Sequence, residues 1–334
     1  MPMKLREMYE TAVRLGIQAD PRGQKGIDQF LAQARDRYDK LPGYVKAVFD
    51  KEELTNPFAD TRMYVGDPEA EITTVLGGID MNVGEVLLAD RLREKGTQID
   101  AIYTHHPEGW GLSKLDQVMG VQADIWAGVG VPIQAGERLI DERRKDVRHR
   151  LMPINHTQAI DAARLLGVPF WSAHTPTDNL VYDFLVRYFA EREPQTLEDV
   201  RRLLYEVPEY RIAAQQGAGP SIVDDGGESR AGKVMVDMTG GTEGPVKAIA
   251  QLADKGVGTI VCMHMSEELR KAADKHNIHV VIAGHMASDS VGINLLMDEL
   301  ERGGVRIVPT SGLIRVRRNQ KRDVIEEMPA ALPL

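Results

Sequence analysis

The apolar positions of this 334-residue chain change their period a little beyond residue 60. Before that point, "KLREMYETAVRLG" places Leu5, Met8, Ala12, Val13 and Leu15 near a helical repeat, and "IDQFLAQARDRYDKL" repeats the pattern. "LPGYVKAVFDKEEL" continues the helical material after a Pro-Gly break. Residues 1–60 therefore read as a helical extension without a chemical motif. From residue 72 short apolar runs take over: "ITTVLGGID", "IDAIYTHH", "VPIQA" and "VPFWSAHT" have the character of strands. Between and after them, "VGEVLLADRLREKG" (closed by Gly96), "LDQVMGVQADIWAGVG", "HTQAIDAARLLG" and "DNLVYDFLVRYFAE" carry helical patterns. "ERLIDERRKDVRHRL" is dense in both charge signs and reads as a solvated helix or an excursion.

A boundary falls at "REPQTLEDVRRLL", where Pro194 stops one helix and Thr196 with Asp199 forms a capping-box pattern for the next. "EVPEYRIAAQQGAGPSIVDDGGESRAG" is rich in turn residues, with room for one strand. The strands "KVMVDM", "GTIVCMH", "IHVVIAGH" and "VRIVPT" then alternate with helices in "GPVKAIAQLADKG", "SEELRKAADKH" and "SDSVGINLLMDELERGG". Such alternation, with near-continuous apolar strands, predicts α/β lobes built on mostly parallel sheets covered on both faces. The division expected is a helical extension over 1–60, a first α/β lobe over 61–193, a second over 194–318, and a polar tail over 319–334.

The net charge of −9 gives no general attraction to polyanions. Cys262 is alone, so no intrachain disulfide forms. The charged N-terminus lacks the apolar core of a secretory signal, and no apolar run is long enough to span a bilayer. The expectation is a soluble cytoplasmic protein with no membrane partner.

Of nine histidines, His149, His156, His276 and His279 lie in polar, helical or pre-strand contexts and read as structural. His105, His106, His174, His264 and His285 all end expected strands, and ligands of open α/β sheets bind beyond those ends. Adjacent strand side chains face opposite ways, so His105 and His106 cannot both serve one atom from a regular strand. Departure of the chain at Pro107 re-aims one ring, or two neighbouring ions take one ring each, or one ring is core and the other loop. Asp178, four residues after His174, suits a helix N-cap as well as a ligand. Gly284 frees the backbone before His285, and Asp289 follows at the helical i+4 spacing, with Ser288 as the competing cap. Taken together the clusters supply imidazoles and carboxylates suited to Zn, Fe, Mn, Co or Ni, without the thiolates of a structural zinc knot. The set is large enough for two ions with open positions.

In this order, "VGDP" at 65–68, "THHP" at 104–107, "AHTPTD" at 173–178 and "AGHMASD" at 283–289 resemble the motifs of the NIF-three-like family (YbgI-type), some members of which carry the label of type-two GTP cyclohydrolase homologues. The resemblance implies a dinuclear metal site in a cleft between two α/β lobes, and ring-shaped homo-hexamers as in many members. By position it implies His105, His106, Asp178, His285 and Asp289 as ligands, with His174 beside the site. The chain departs from the family in carrying Asp289 where relatives have Glu, in a longer stretch between His106 and His174, in residues 1–60, and in His264, which stands where relatives have a Thr-Gly-acid turn.

The function expected is a metal-dependent hydrolase in which two divalent ions activate water and His174 and His264 move protons. Phosphate esters, nucleotides and amide-like rings all suit such a centre as small-molecule substrates. The rival expectation is a non-catalytic, metal-stabilised homo-oligomer acting as scaffold, metallochaperone or regulator. "VDMTGGTEGP", with Pro245 at an expected helix start, reads as a tight turn or a phosphate cradle, although the P-loop lysine is missing. "RVRRNQKR" reads as a solvated tail; in an acidic chain without interleaved aromatics it predicts no nucleic-acid partner.

Overall fold

The computed structural model describes residues 2–223 and 227–318, so the expected tail at 319–334 lies outside the described residues. The extension contains a two-residue strand β1 (Met3–Lys4) and helices α1 (Leu5–Gln18), α2 (Gly23–Asp39) and α3 (Gly43–Lys46). α1 buries Leu5, Met8, Tyr9 and Ala12, one stripe of its helical repeat. After Pro42 the chain makes only the single turn of α3 and a 3₁₀ turn at Lys51–Leu54.

The elements that follow are β2 (Met63–Val65), β3 (Glu71–Ile72), β4 (Thr74–Gly78), α4 (Val83–Glu94), β5 (Ala101–Thr104), α5 (Gly109–Ser113), α6 (Val121–Gly128), α7 (Ile133–Leu151), α8 (Gln158–Leu165), β6 (Phe170–Ser172) and α9 (Thr175–Arg192). The strand expected at "VPIQA" is absent. Pro132, which lacks an N–H to satisfy, is instead the N-cap of α7, and Ile140 and Val147 are buried two helical turns apart along it. The charged segment thought to be a helix or an excursion is the body of that helix.

Next come α10 (Leu197–Glu206), with the Thr196–Asp199 capping box formed, and α11 (Pro208–Gln215), helical where turns were expected. β7 (Ser221–Val223), β8 (Lys233–Asp237), α12 (Ala248–Asp254), β9 (Val257–Cys262), α13 (Glu267–Lys275), β10 (His279–Ile282), α14 (His285–Arg302) and β11 (Arg306–Pro309) complete the chain. α12 begins three residues after Pro245, so "TGGTEGP" does not lead directly into a helix.

Two mostly parallel sheets result. One runs β11-β4-β5-β6-β2, with β2 antiparallel at an edge; the other runs β7-β10-β9-β8, with β7 antiparallel at an edge. β1 pairs with β3 and ties the extension to the first lobe. β11, expected in the second lobe, pairs with β4 of the first sheet, so the chain returns across the boundary drawn at residue 194. Helices α9 and α14 lie between the sheets. Val181, Leu185 and Phe189 of α9 and Val291 of α14 share a core with Val236, Val261 and Val281 of the second sheet. Leu296, Met297 and Leu300 of α14 pack with Val75 and Tyr103 of the first sheet and with Leu5 and Met8 of α1. No described helix is long and apolar enough to cross a membrane.

Candidate metal centre

Three pieces of local structure aim side chains at one point. The first is the exit of β5. There His105 and His106 donate their backbone N–H to the carbonyls of Gly78 and Ile79, so the chain stays alongside the end of β4. The second is the start of α9, with His174 at the N-cap and Asp178 in the first turn. The third is the start of α14, where Gly284 at φ 109° turns the backbone from β10 directly into the helix that begins at His285. The i,i+4 pairs predicted at both helix starts are formed. His174 Nε2 lies 3.6 Å from Asp178 Oδ2, and His285 Nε2 lies 3.5 Å from Asp289 Oδ2. The two helices cross closely because Gly292 has no side chain; a Cβ there would collide with the carbonyl of Thr177.

Asp289 is the hub. Its Oδ1 is 3.5 Å from His105 Nε2, while its Oδ2 is 3.8 Å from His106 Nε2 and 3.5 Å from that of His285. The two adjacent histidines thus straddle one carboxylate, each ring facing a different oxygen. Asp178 Oδ1 also lies 3.5 Å from His105 Nε2. Three overlapping donor sets each fit within 4.8 Å: His105, His106 and His174; His106, His285 and Asp289; and His105, Asp178 and Asp289.

The outward nitrogens of His105, His106 and His174 are occupied. Thr177 donates its hydroxyl to the carbonyls of Ala173 and His174, and so accepts from Nδ1 of His105 at 2.9 Å. Nδ1 of His106 bonds Asp80 at 2.6 Å, and Nδ1 of His174 bonds the buried Asp60 at 2.8 Å. These three rings are thereby fixed with Nε2 turned inward, the way hydrogen-bonded partners orient metal-ligating histidines. Seven buried side-chain polar atoms of the described residues lack a hydrogen-bond partner, and four of them are here: His105 Nε2, Asp178 Oδ1 and both oxygens of Asp289. Orphaned acceptors crowded in one place call for a cation. The donor set therefore fits a metal, and the chain has buried His/Asp groups able to bind one.

Without a cation the site is electrostatically uneasy. Burial lowers His105 to about 4. Burial also opposes charge on His174, but Asp178 and the hydrogen bond to Asp60 outweigh it and raise that ring to about 9. Burial pushes the Asp178 carboxyl well above the usual range, helped by Asp289 nearby.

His264 stands apart from the donor sets. It lies two residues beyond β9 in the second lobe, half-exposed, with its ring centroid 4.8 Å from that of His285 and its Nδ1 3.1 Å from Glu243 Oε1. The hydrogen bond to Glu243 raises its pKa. A small cavity of about 70 Å³ opens between this wall and the cluster, and Asp237 at the end of β8 also lines it.

The histidines and their carboxylate neighbours were legible as strand-end residues, whereas Asp60, Asp80, Thr177, Asp237 and Glu243 were not singled out. Asp80 and Asp237 do carry a signal, because each follows an apolar strand as the expected histidines do. Asp60 carries none.

No family model matches the sequence, and no curated protein does. Among solved structures, the NIF3 superfamily protein from Sphaerobacter thermophilus superposes with a TM-score of 0.73 at 24% identity, covering 94% of this chain and 100% of that one. Reduced HcgD from Methanocaldococcus jannaschii gives a TM-score of 0.46 at 16% identity, over 78% of this chain and 95% of that one. Protein ybgI, of unknown function, gives 0.45 at 15% identity, over 85% and 97%. The fold that the motifs led us to expect, that of the NIF3 superfamily, is the fold found.

Proposed function

We propose that this chain, which has the NIF3 fold, is a member of that superfamily and a cytoplasmic metal-dependent hydrolase holding two divalent ions from among Zn, Fe, Mn, Co and Ni. The observation that carries the proposal is the carboxylate of Asp289: buried, without a hydrogen bond, and presenting one oxygen to His105 and the other to His106 and His285. His105, His174, Asp178 and Asp289 would hold one ion, and His106 and His285, sharing Asp289, the other. His174 thus moves from the proton-carrying role expected of it to that of a ligand, because its Nδ1 is committed to Asp60 and its Nε2 faces Asp178.

Bound ions of this kind supply Lewis acidity and a water molecule that readily loses a proton. The chain's contribution is orientation and proton handling. Asp80, Asp60 and Thr177 fix the ring planes, and the buried helix starts fix the carboxylates. His264, steadied by Glu243, can hold or move a proton at Nε2 on the cavity wall. The chain would also assemble into homo-oligomers. Leu165, 87% exposed, and Met152, 73% exposed, are apolar surface available for such contacts, and sedimentation velocity reads the state directly.

Elemental analysis of untagged protein tests the centre: two transition ions per chain in the wild type, and loss of metal in Asp289→Ala and His105→Ala. Unchanged metal in both variants would refute the site. A hydrolase screen with Mn, Zn and Fe tests the activity. Metal-dependent turnover lost in those variants supports the enzyme, and full metal without turnover on any substrate class would favour the scaffold instead.

A further inference from the structure

The ions proposed above leave one wall of the cavity without an assigned role. That wall comes from the second lobe, and its polar groups are not equivalent. Thr239 donates its hydroxyl to Asn179 at 2.7 Å. Glu243 is committed to His264 and to the backbone N–H of Ser266 at 2.6 Å. Asp237 differs: it lines the cavity at the end of β8, and no hydrogen bond to its carboxylate is found among the described residues. Burial raises it to about 6, a cost that a strand-end position does not require, since an asparagine or serine would fit there without it.

The cavity is also short of positive charge. No lysine or arginine lines it among the described residues. Asp178, Asp289, Asp237 and Glu243 together offset two divalent ions, and Asp60 and Asp80 behind the rings outweigh the one charge that a protonated His264 adds. Besides the ions, a phosphate dianion would find only His264, already paired with Glu243, and the Asp237 carboxylate in its way. A substrate that brings a hydrogen-bond donor or a cation gains what Asp237 lacks.

We infer that Asp237 is the recognition residue of this site, and that the site takes a carbonyl compound bearing an amine or amide N–H: the carbonyl end lies at the ions and the nitrogen end at Asp237. This rests on the two-ion reading, and it narrows the substrate class to nitrogen-bearing acyl compounds, away from phosphate esters and nucleotides.

Hydroxamates separate the two ends, because the hydroxamate group binds metal and the rest of the molecule can carry an amine or not. We would titrate zinc-loaded protein by calorimetry at pH 7 with glycine and β-alanine hydroxamates, and with acetohydroxamate and propionohydroxamate as their amine-free matches. At least one amino compound should bind about tenfold tighter than its match, the worth of one charge-assisted hydrogen bond. In Asp237→Asn and Asp237→Ala that advantage should fall below about threefold, with zinc content unchanged and the amine-free compounds binding as before. Inorganic phosphate should bind more tightly to both variants than to the wild type. Equal affinity of amino and amine-free compounds for the wild type, or an advantage that survives both substitutions, would overturn the assignment of Asp237. Failure of the amine-free hydroxamates to bind the wild type would instead overturn the metal reading, and this inference with it.

Discussion

The Asp60 carboxylate accepts a hydrogen bond from His174 Nδ1 at 2.8 Å across 114 residues of sequence, and a second from the Thr175 hydroxyl at 2.6 Å. Asp60 is fully buried. It closes the segment read from sequence as an extension without chemistry, and that segment is anchored nearby by Arg62, which binds Asp50 at 3.0 Å and the carbonyls of Phe58 and Thr61. The extension therefore supports the candidate metal centre. Asp60→Asn should weaken the ion held by His174 by about 10- to 100-fold, the usual effect of losing an outer carboxylate. Chelator competition should show one ion leaving early and the other as in the wild type. Unchanged affinity for both ions would refute this.

Asp80 plays the corresponding part for the second ion proposed, through Nδ1 of His106. Asp80→Asn should loosen that ion selectively. In cobalt-substituted protein the Asp60 and Asp80 variants should then alter different components of the visible spectrum. Identical spectral changes would mean that the two carboxylates do not serve separate ions.

Gly292→Ala tests the helix crossing. A methyl group placed against the Thr177 carbonyl must push α14 away from α9, and with it Asp289 from Asp178. Overpacking of this kind costs about 1–3 kcal/mol, so a lowered melting temperature and reduced metal content should appear together. Full metal occupancy at wild-type stability would show that the crossing tolerates the methyl group.

Residue patterns foretold the part of the site that rests on local geometry. A histidine at a strand end followed by an acid four residues on is legible, because strand exit and helix start fix both positions in a short span. His105 and His106 posed a question that sequence could not answer, since its resolution is Asp289, almost two hundred residues away, with one oxygen for each ring. Asp60 was invisible for the same reason: a hydrogen bond between distant segments has no spacing to recognise. "VPIQA" misled because a proline flanked by β-branched residues looks alike before a helix and inside an edge strand, and only the buried positions further along α7 decide. The sheet that β11 joins was likewise not written in β11, whose composition suits either.

Asp237 gives a pH signature. The folded state binds its proton more tightly than the unfolded chain, where aspartate titrates near 4. The stability this contributes is full below about pH 4 and is lost as pH rises through about 6. Asp237→Asn cannot ionise, so its stability relative to wild type should rise across that window, by about 2 kcal/mol between pH 4 and pH 8. Urea unfolding of metal-free protein at both pH values measures the difference. A constant difference would show that the carboxylate is well hydrated.

The return of β11 to β4 makes everything between α9 and α14 a cassette spliced into the first lobe at two seams. All six side chains of the candidate donor sets lie outside that insert, on the β5 exit and on the two flanking helices, whereas Asp237, Glu243 and His264 lie within it. Grafting a different insert between the same seams would replace the cavity wall that holds Asp237 while leaving the six candidate donors in place.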